Sequence, residues 1–195
     1  QIVADMAGIS RTQAKTINLG LFYGMGKAKL SKELGISKDA AENLLGKYHN
    51  RVPFVKKLAE AVMSSASKYG FIRTIKGRKC RFDMWEPATF GMNKAMQYEE
   101  AKAIYGNNIR RAFTYKALNR LIQGSAADQT KQAMIECYKQ GFKPMLQIHD
   151  ELCFSINEEN DIVKVKEIME NAIEGLKVPS KVDCAIGSSW GQAKE

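Results

Sequence analysis

Ser10-Arg-Thr-Gln-Ala-Lys-Thr-Ile-Asn-Leu-Gly-Leu-Phe-Tyr-Gly-Met-Gly26 is the stretch from which the rest of the chain is read. Ser10 is a good N-cap, and Gln13 three residues later completes a capping box, so a helix is expected to start here. Arg11, Lys15 and Leu19 follow at i, i+4 and i+8 and share one face, with Tyr23 continuing the row after some angular drift. Gly20, Gly24 and Gly26 weaken the helix towards its end and allow another molecule close to the backbone. Two cations one turn apart can hold a polyanion as long as a triphosphate. An apolar side chain and a tyrosine further along could touch a sugar or a base. The cations alone also fit an ordinary solvated amphipathic helix.

The chain has 195 residues, 45% of them hydrophobic, enough for one domain or two small lobes with a real core. Lysine and arginine number 30 against 21 acidic residues, a net charge of +9 that favours a polyanionic partner. No apolar run approaches a membrane span and no signal-peptide pattern is present, so no membrane partner is expected. Cys80, Cys137, Cys153 and Cys184 are scattered and fit neither a zinc site nor a disulfide framework. Reduced thiols in a cytoplasmic protein are expected. The chain begins at Gln1 in what reads as a folded region, so it is expected to be the C-terminal piece of something longer.

Lys27, Lys29, Lys32 and Lys38 form a basic stretch, a pattern that also suits a solvated face. Ser37 is expected to cap a helix from Lys38 to about His49. Pro53 suits the first turn of another helix, ending at Gly70 as its C′ residue. Phe71–Phe82 alternates around Lys76-Gly77 and predicts a β-hairpin with basic side chains on one face. Residues 83–92 read as a loop. Helical pattern resumes near Asn93, breaks at Gly106-Asn107-Asn108, and continues from about Ile109 to Gln140. Gly124, Ser125, Ala126 and Ala127 suggest close packing against another element. Core packing does not explain Asn119 and Gln123, one turn apart on one face. Amides there could donate to minor-groove acceptors, a nearly sequence-blind contact.

Met145–His149 and Leu152–Ile156 read as two strands, with His149-Asp150-Glu151 between them. Adjacent carboxylates at a hairpin tip repel unless a cation sits there, and oxygen ligands suit Mg²⁺ or Mn²⁺. A polar turn with solvated charges is the plain alternative. A helix from about Glu158 to Leu176 and a strand near Lys181–Ile186 close the chain.

Three of these segments resemble family A DNA polymerases, in the order that family uses. They are Arg11-x-x-x-Lys15-x-x-x-Leu19-Gly-x-x-Tyr23-Gly24, Asn119-Arg-Leu-Ile-Gln-Gly-Ser-Ala-Ala-Asp128, and Gln147-Ile-His-Asp-Glu-Leu152. The hairpin with Gly77-Arg78 and the Val178-Pro179…Trp190 ending are also similar to that family. The resemblance covers nearly the whole chain. It implies an α+β fold of partial right-hand architecture, with a mostly helical fingers lobe over residues 1–115. The distal part of an antiparallel β palm would occupy residues 116–195. The loop-rich 83–108 stretch and Leu19 look closer to the phage-type branch, which would place the protein in a host cytoplasm.

The resemblance also implies roles. Arg11 and Lys15 would bind the phosphates of an incoming deoxynucleoside triphosphate, and Lys15 would also protonate the leaving pyrophosphate. Leu19 and Tyr23 would meet the sugar and the templating base. Asn119 and Gln123 would contact the primer–template minor groove, with His149 near the primer terminus. Asp150 would bind two catalytic Mg²⁺ ions (Mn²⁺ substituting), with Glu151 as a supporting ligand. Leu19 departs from the family, which usually has Phe or Tyr there; Leu cannot stack, so altered discrimination of 3′-deoxy nucleotides is expected. The family's other metal-binding aspartate belongs to an upstream motif that nothing near Gln1–Ser10 matches, Asp5 included. The fragment alone is therefore expected to be inactive, with thumb and any exonuclease upstream. A non-catalytic nucleic-acid-binding module is the rival reading; a metal-dependent hydrolase has too thin a ligand set.

Overall fold

The computed structural model describes residues 4–5, 9–23, 25–51, 53–89, 91 and 94–194, with Arg11, Leu21, Phe22 and Lys194 described by backbone alone. The chain divides into two compact units, Gln1–Arg73 with Lys79–Leu121 and Thr74–Arg78 with Ile122–Glu195.

The first unit holds α1 (Arg11–Phe22), α2 (Lys27–Leu34), α3 (Lys38–Arg51), α4 (Pro53–Tyr69) and α5 (Tyr98–Tyr105). The capping box forms: the Ser10 N–H donates to Gln13 Oε1 at 3.1 Å, and the Gln13 N–H donates back to Ser10 Oγ at 3.3 Å. Ser37 caps α3 in the same way, accepting from the Ala40 N–H at 3.1 Å. Ala14 and Ile17 of α1 pack with Leu30, Ala41, Leu44 and Tyr48 from α2 and α3. That burial turns the opposite face of α1 outward.

A second core joins Val62 and Ala66 of α4 to Ile72, Phe82 and Ala117. Here β1 (Phe71–Arg73) and β2 (Lys79–Arg81) pair antiparallel, with Ile72 opposite Cys80, as the alternating pattern predicts. Gly70 follows α4 at φ 76, the left-handed geometry expected of a C′ glycine. A Cβ there would also lie 2.6 Å from the Arg111 guanidinium carbon, the movable end of a long side chain, so the positive φ is what demands glycine.

Two expectations fail nearby. Residues 83–92 are not all loop, because β3 (Trp85–Pro87) pairs antiparallel with β4 (Ile109–Arg111), where helix was expected. Long-range contacts override the local pattern. Arg110 Nε lies 2.9 Å from Glu86 Oε1, directly across the strands, and the Arg111 guanidinium sits 4.6 Å over the Trp85 ring. Asn93, where the preceding helix was to begin, is outside the described residues; α5 starts at Tyr98. After a short 3₁₀ turn at Thr114–Lys116, α6 (Ala117–Lys139) begins eight residues later than the pattern suggests.

In the second unit, β5 (Pro144–Ile148) and β6 (Glu151–Phe154) form an antiparallel hairpin, followed by α7 (Glu159–Glu170). That helix ends well before Leu176, and residues 181–187 form no strand: they carry no regular secondary structure and pair with no strand among the described residues. Side-chain anchors replace a ladder there: the Val182 N–H donates to Glu170 Oε1 at 3.1 Å, and Lys181 Nζ lies 3.4 Å from Glu170 Oε2.

The turn Thr74–Arg78 packs on α6 in this unit, and the run of small residues is why it can. A Cβ on Gly124 would lie 2.8 Å from Thr74 Cγ2, and Ser125 Oγ accepts from the Ile75 N–H at 3.1 Å. Arg78 donates from Nε to Asp128 Oδ1 at 2.8 Å and from Nη2 to the Gly124 carbonyl at 2.9 Å. Gly124→Ala gains roughly 1 kcal/mol of helix propensity. Forcing a methyl against a buried, β-branched Thr74 costs about 1–3 kcal/mol. A net loss of about 1 kcal/mol is expected, read as a lower melting temperature of the full-length protein; a higher one would show that the turn yields freely.

Candidate active site

The first unit carries the candidate anion-binding face. Lys15 is exposed on α1, and among the described residues it makes no ion pair or hydrogen bond. Leu19 follows one turn later, half exposed at 50%. Tyr23 lies just past the helix, half buried, its N–H donating to the Leu19 carbonyl at 3.1 Å. Arg11 opens the helix; its side chain lies outside the described residues, as does Gly24. The buried Ala14 and Ile17 explain the row's direction: with 3.6 residues per turn, fixing them inward points Lys15 and Leu19 outward.

Asn119 and Gln123 lie on α6, one turn apart, Asn119 half buried and Gln123 exposed. The Arg120 guanidinium between them sits 4.8 Å over the Phe82 ring and donates to the Arg81 carbonyl at 3.3 Å.

The second unit carries the carboxylates. Ile148 pairs with Glu151, so His149 and Asp150 form the two-residue turn of the hairpin. His149 has φ 53, a left-handed conformation that costs a non-glycine residue energy and that two-residue hairpin turns normally assign to Gly or Asn. Gln147 Nε2 donates to the His149 carbonyl at 3.1 Å and braces the turn. Asp150 projects at the tip, exposed, and among the described residues it has no hydrogen-bond or ion-pair partner. Glu151 is the first residue of β6 and half buried. Its Oε1 accepts from Trp190 Nε1 at 2.9 Å and from Cys153 Sγ at 3.6 Å.

Among the described residues no group of three or more His, Cys, Asp or Glu side chains closes a metal cage. Mg²⁺, however, is commonly held by one or two carboxylates while substrate phosphates and water complete its shell. The donor chemistry of Asp150 and Glu151 fits a hard divalent cation on that basis.

Two features were not read from the sequence: the clamp from Arg78 to Asp128 and the link from Trp190 to Glu151. Each joins residues far apart in the chain. The only local signals were Gly77-Arg78 in a tight turn, the small residues of α6, and a tryptophan near the end. No helix among the described residues is long and apolar enough to cross a membrane.

The chain as a whole is similar to known proteins. A DNA-directed DNA polymerase of Pseudomonas phage M6 is 36% identical, the match covering 99% of this chain and 31% of that protein. DNA polymerase I of Caldicellulosiruptor bescii is 35% identical over 98% of this chain and 22% of its own length. The chain thus spans under a third of either relative. Among solved structures, the POL domain of Pol1 from M. smegmatis, in complex with DNA primer-template and dNTP, superposes with a TM-score of 0.74 at 28% identity. It covers 100% of this chain and 34% of that one. The family described as DNA polymerase family A matches residues 2–192. The chain therefore belongs to DNA polymerase family A.

Proposed function

We propose that this chain is the nucleotide-binding and distal palm portion of an enzyme that copies DNA, adding deoxynucleotides to a primer 3′-hydroxyl. The observation that carries this reading is the chain-long likeness to a polymerase domain solved with primer-template and dNTP. Residues 1–115 would act as fingers and 116–195 as distal palm.

The chemistry is in-line attack of the primer hydroxyl on the α-phosphate, in which positioning and charge stabilisation supply most of the rate. Arg11 and Lys15 bind the triphosphate. The ammonium of Lys15, exposed and unpaired among the described residues, also gives a proton to the departing pyrophosphate. Tyr23 supports the closing base pair. Asn119 and Gln123 touch the minor groove, and His149 lies beside the primer end. Asp150, with Glu151 in support, would hold divalent cations, Mg²⁺ or Mn²⁺. When bound, such ions stabilise charge on the attacking and leaving oxygens. These 195 residues alone are not expected to extend a primer, since among the described residues no group of three or more His, Cys, Asp or Glu side chains gathers to hold a metal ion.

The deciding experiment is Mg²⁺-dependent primer extension by the full-length protein. Template-directed products are expected. DNA binding without extension, weakening steeply and uniformly as salt rises, would point instead to a binding module.

Leu19 supports a finer expectation, since its side chain is held outward without a flat face to offer. Stacking is worth about 0.5–1.5 kcal/mol, so Leu19→Tyr should change the ratio of dideoxy to deoxy incorporation about two- to tenfold. Equal ratios in a competition assay would remove Leu19 from sugar selection.

A further inference from the structure

Glu151 is held from a distance. Its Oε1 accepts the Trp190 indole N–H at 2.9 Å across 39 positions of sequence, and the Cys153 thiol approaches the same oxygen at 3.6 Å. The terminal segment that brings Trp190 there has its own anchors, through Val182 and Lys181 on Glu170 at the end of α7. Between β6, α7 and this segment lies a cleft of about 590 Å³ whose wall includes Asp150, Glu151, Val165, Met169, Ile186 and Trp190. Among the described residues the segment has no ladder partner, so the indole contact is more than a by-product of sheet pairing.

We propose that Trp190 is a positioning residue for catalysis. Its N–H fixes the rotamer of Glu151 and so sets the direction in which that carboxylate faces the cation site beside Asp150. A donor to one oxygen of a ligating carboxylate orients the group and tunes its basicity, and loss of such a partner usually weakens metal binding by tenfold or more. The inference rests on the polymerase reading of the hairpin.

The test uses the full-length enzyme and Trp190→Phe, which keeps a large ring and removes the donor. Mn²⁺ affinity is measured directly by electron paramagnetic resonance, and the Mg²⁺ dependence of primer extension alongside it. About tenfold weaker Mn²⁺ binding is expected, with a matching rise in the Mg²⁺ needed for half-maximal rate. The dNTP KM at saturating Mg²⁺ should stay within about twofold. Glu151→Ala should produce the same shift, and the double variant no further one. A folded Trp190→Phe protein with unchanged Mn²⁺ affinity would overturn the proposal. Should Trp190→Phe not fold, Trp190→Leu, which also lacks the donor, is measured in its place: weakened Mn²⁺ affinity supports the proposal, and unchanged affinity there or in Glu151→Ala overturns it. Failure of the unsubstituted enzyme to extend any primer is a separate outcome that removes the polymerase reading and this inference together.

Discussion

Asp150→Asn is expected to abolish primer extension by the full-length enzyme while leaving its fold and its DNA affinity intact. The substitution keeps the shape of the side chain and removes the charge. Asp150 is exposed in a two-residue turn and has no structural partner among the described residues, so stability should change by no more than about 0.5 kcal/mol. A carboxylate kept exposed at a strained turn beside a second carboxylate gains nothing from folding. Binding a cation is the use that fits. Transition-state charge held through such a ligand is worth several kcal/mol, and about 4 kcal/mol corresponds to roughly a thousandfold in rate. Single-turnover extension beside a DNA titration and a thermal melt checks this. A rate within tenfold of the unsubstituted enzyme would remove Asp150 from the reaction.

The largest expected effect on stability lies at Asp128. Its side chain is 6% exposed, whereas its partner Arg78 is 50% exposed. Burial on its own pushes the carboxyl pKa up. Thr74, Arg78 and the Lys76 backbone together outweigh that and hold it below the ordinary 3.8. Asp128→Ala removes the charged one of the two acceptors that Arg78 finds on α6, leaving the Gly124 carbonyl, and with it a link between the β1–β2 turn and α6. Arg78 can still reach water, so the cost should fall below the 3–5 kcal/mol of a fully buried pair; about 2–3 kcal/mol is expected. A melt or limited proteolysis of the full-length protein reads it. The pH dependence has a definite sign. A carboxyl whose folded pKa is depressed contributes stability above its unfolded pKa and loses it as pH falls through the folded one. The difference between the parent and Asp128→Asn should therefore be full at neutral pH and shrink as pH drops below about 4. A difference that stays constant through that window would show that the charge on Asp128 is not what stabilises the turn.

The sequence by itself encodes local chemistry. The Ser10–Gln13 capping box, the Ser37 cap, the left-handed Gly70 and the two tight hairpins each depend on residues within a few positions of one another. Local sequence largely settles such contacts, because little chain entropy is lost in forming them. The ordered motifs that carry family membership are legible for the same reason. The β3–β4 pairing was not legible: it needed Arg110 and Arg111 to find Glu86 and Trp85 across an intervening segment that contains α5, and that tertiary gain overrode a helical pattern. The same holds for α7, which stops where Glu170 turns from helix to anchor the Val182 backbone. The Arg78 clamp on Asp128 and the Trp190 link to Glu151 span 50 and 39 positions. No periodicity encodes contacts of that range. Sequence alone determined which residues could do the chemistry; the tertiary structure decided which of them are held and by what, because only packing brings distant donors within 3 Å of a carboxylate.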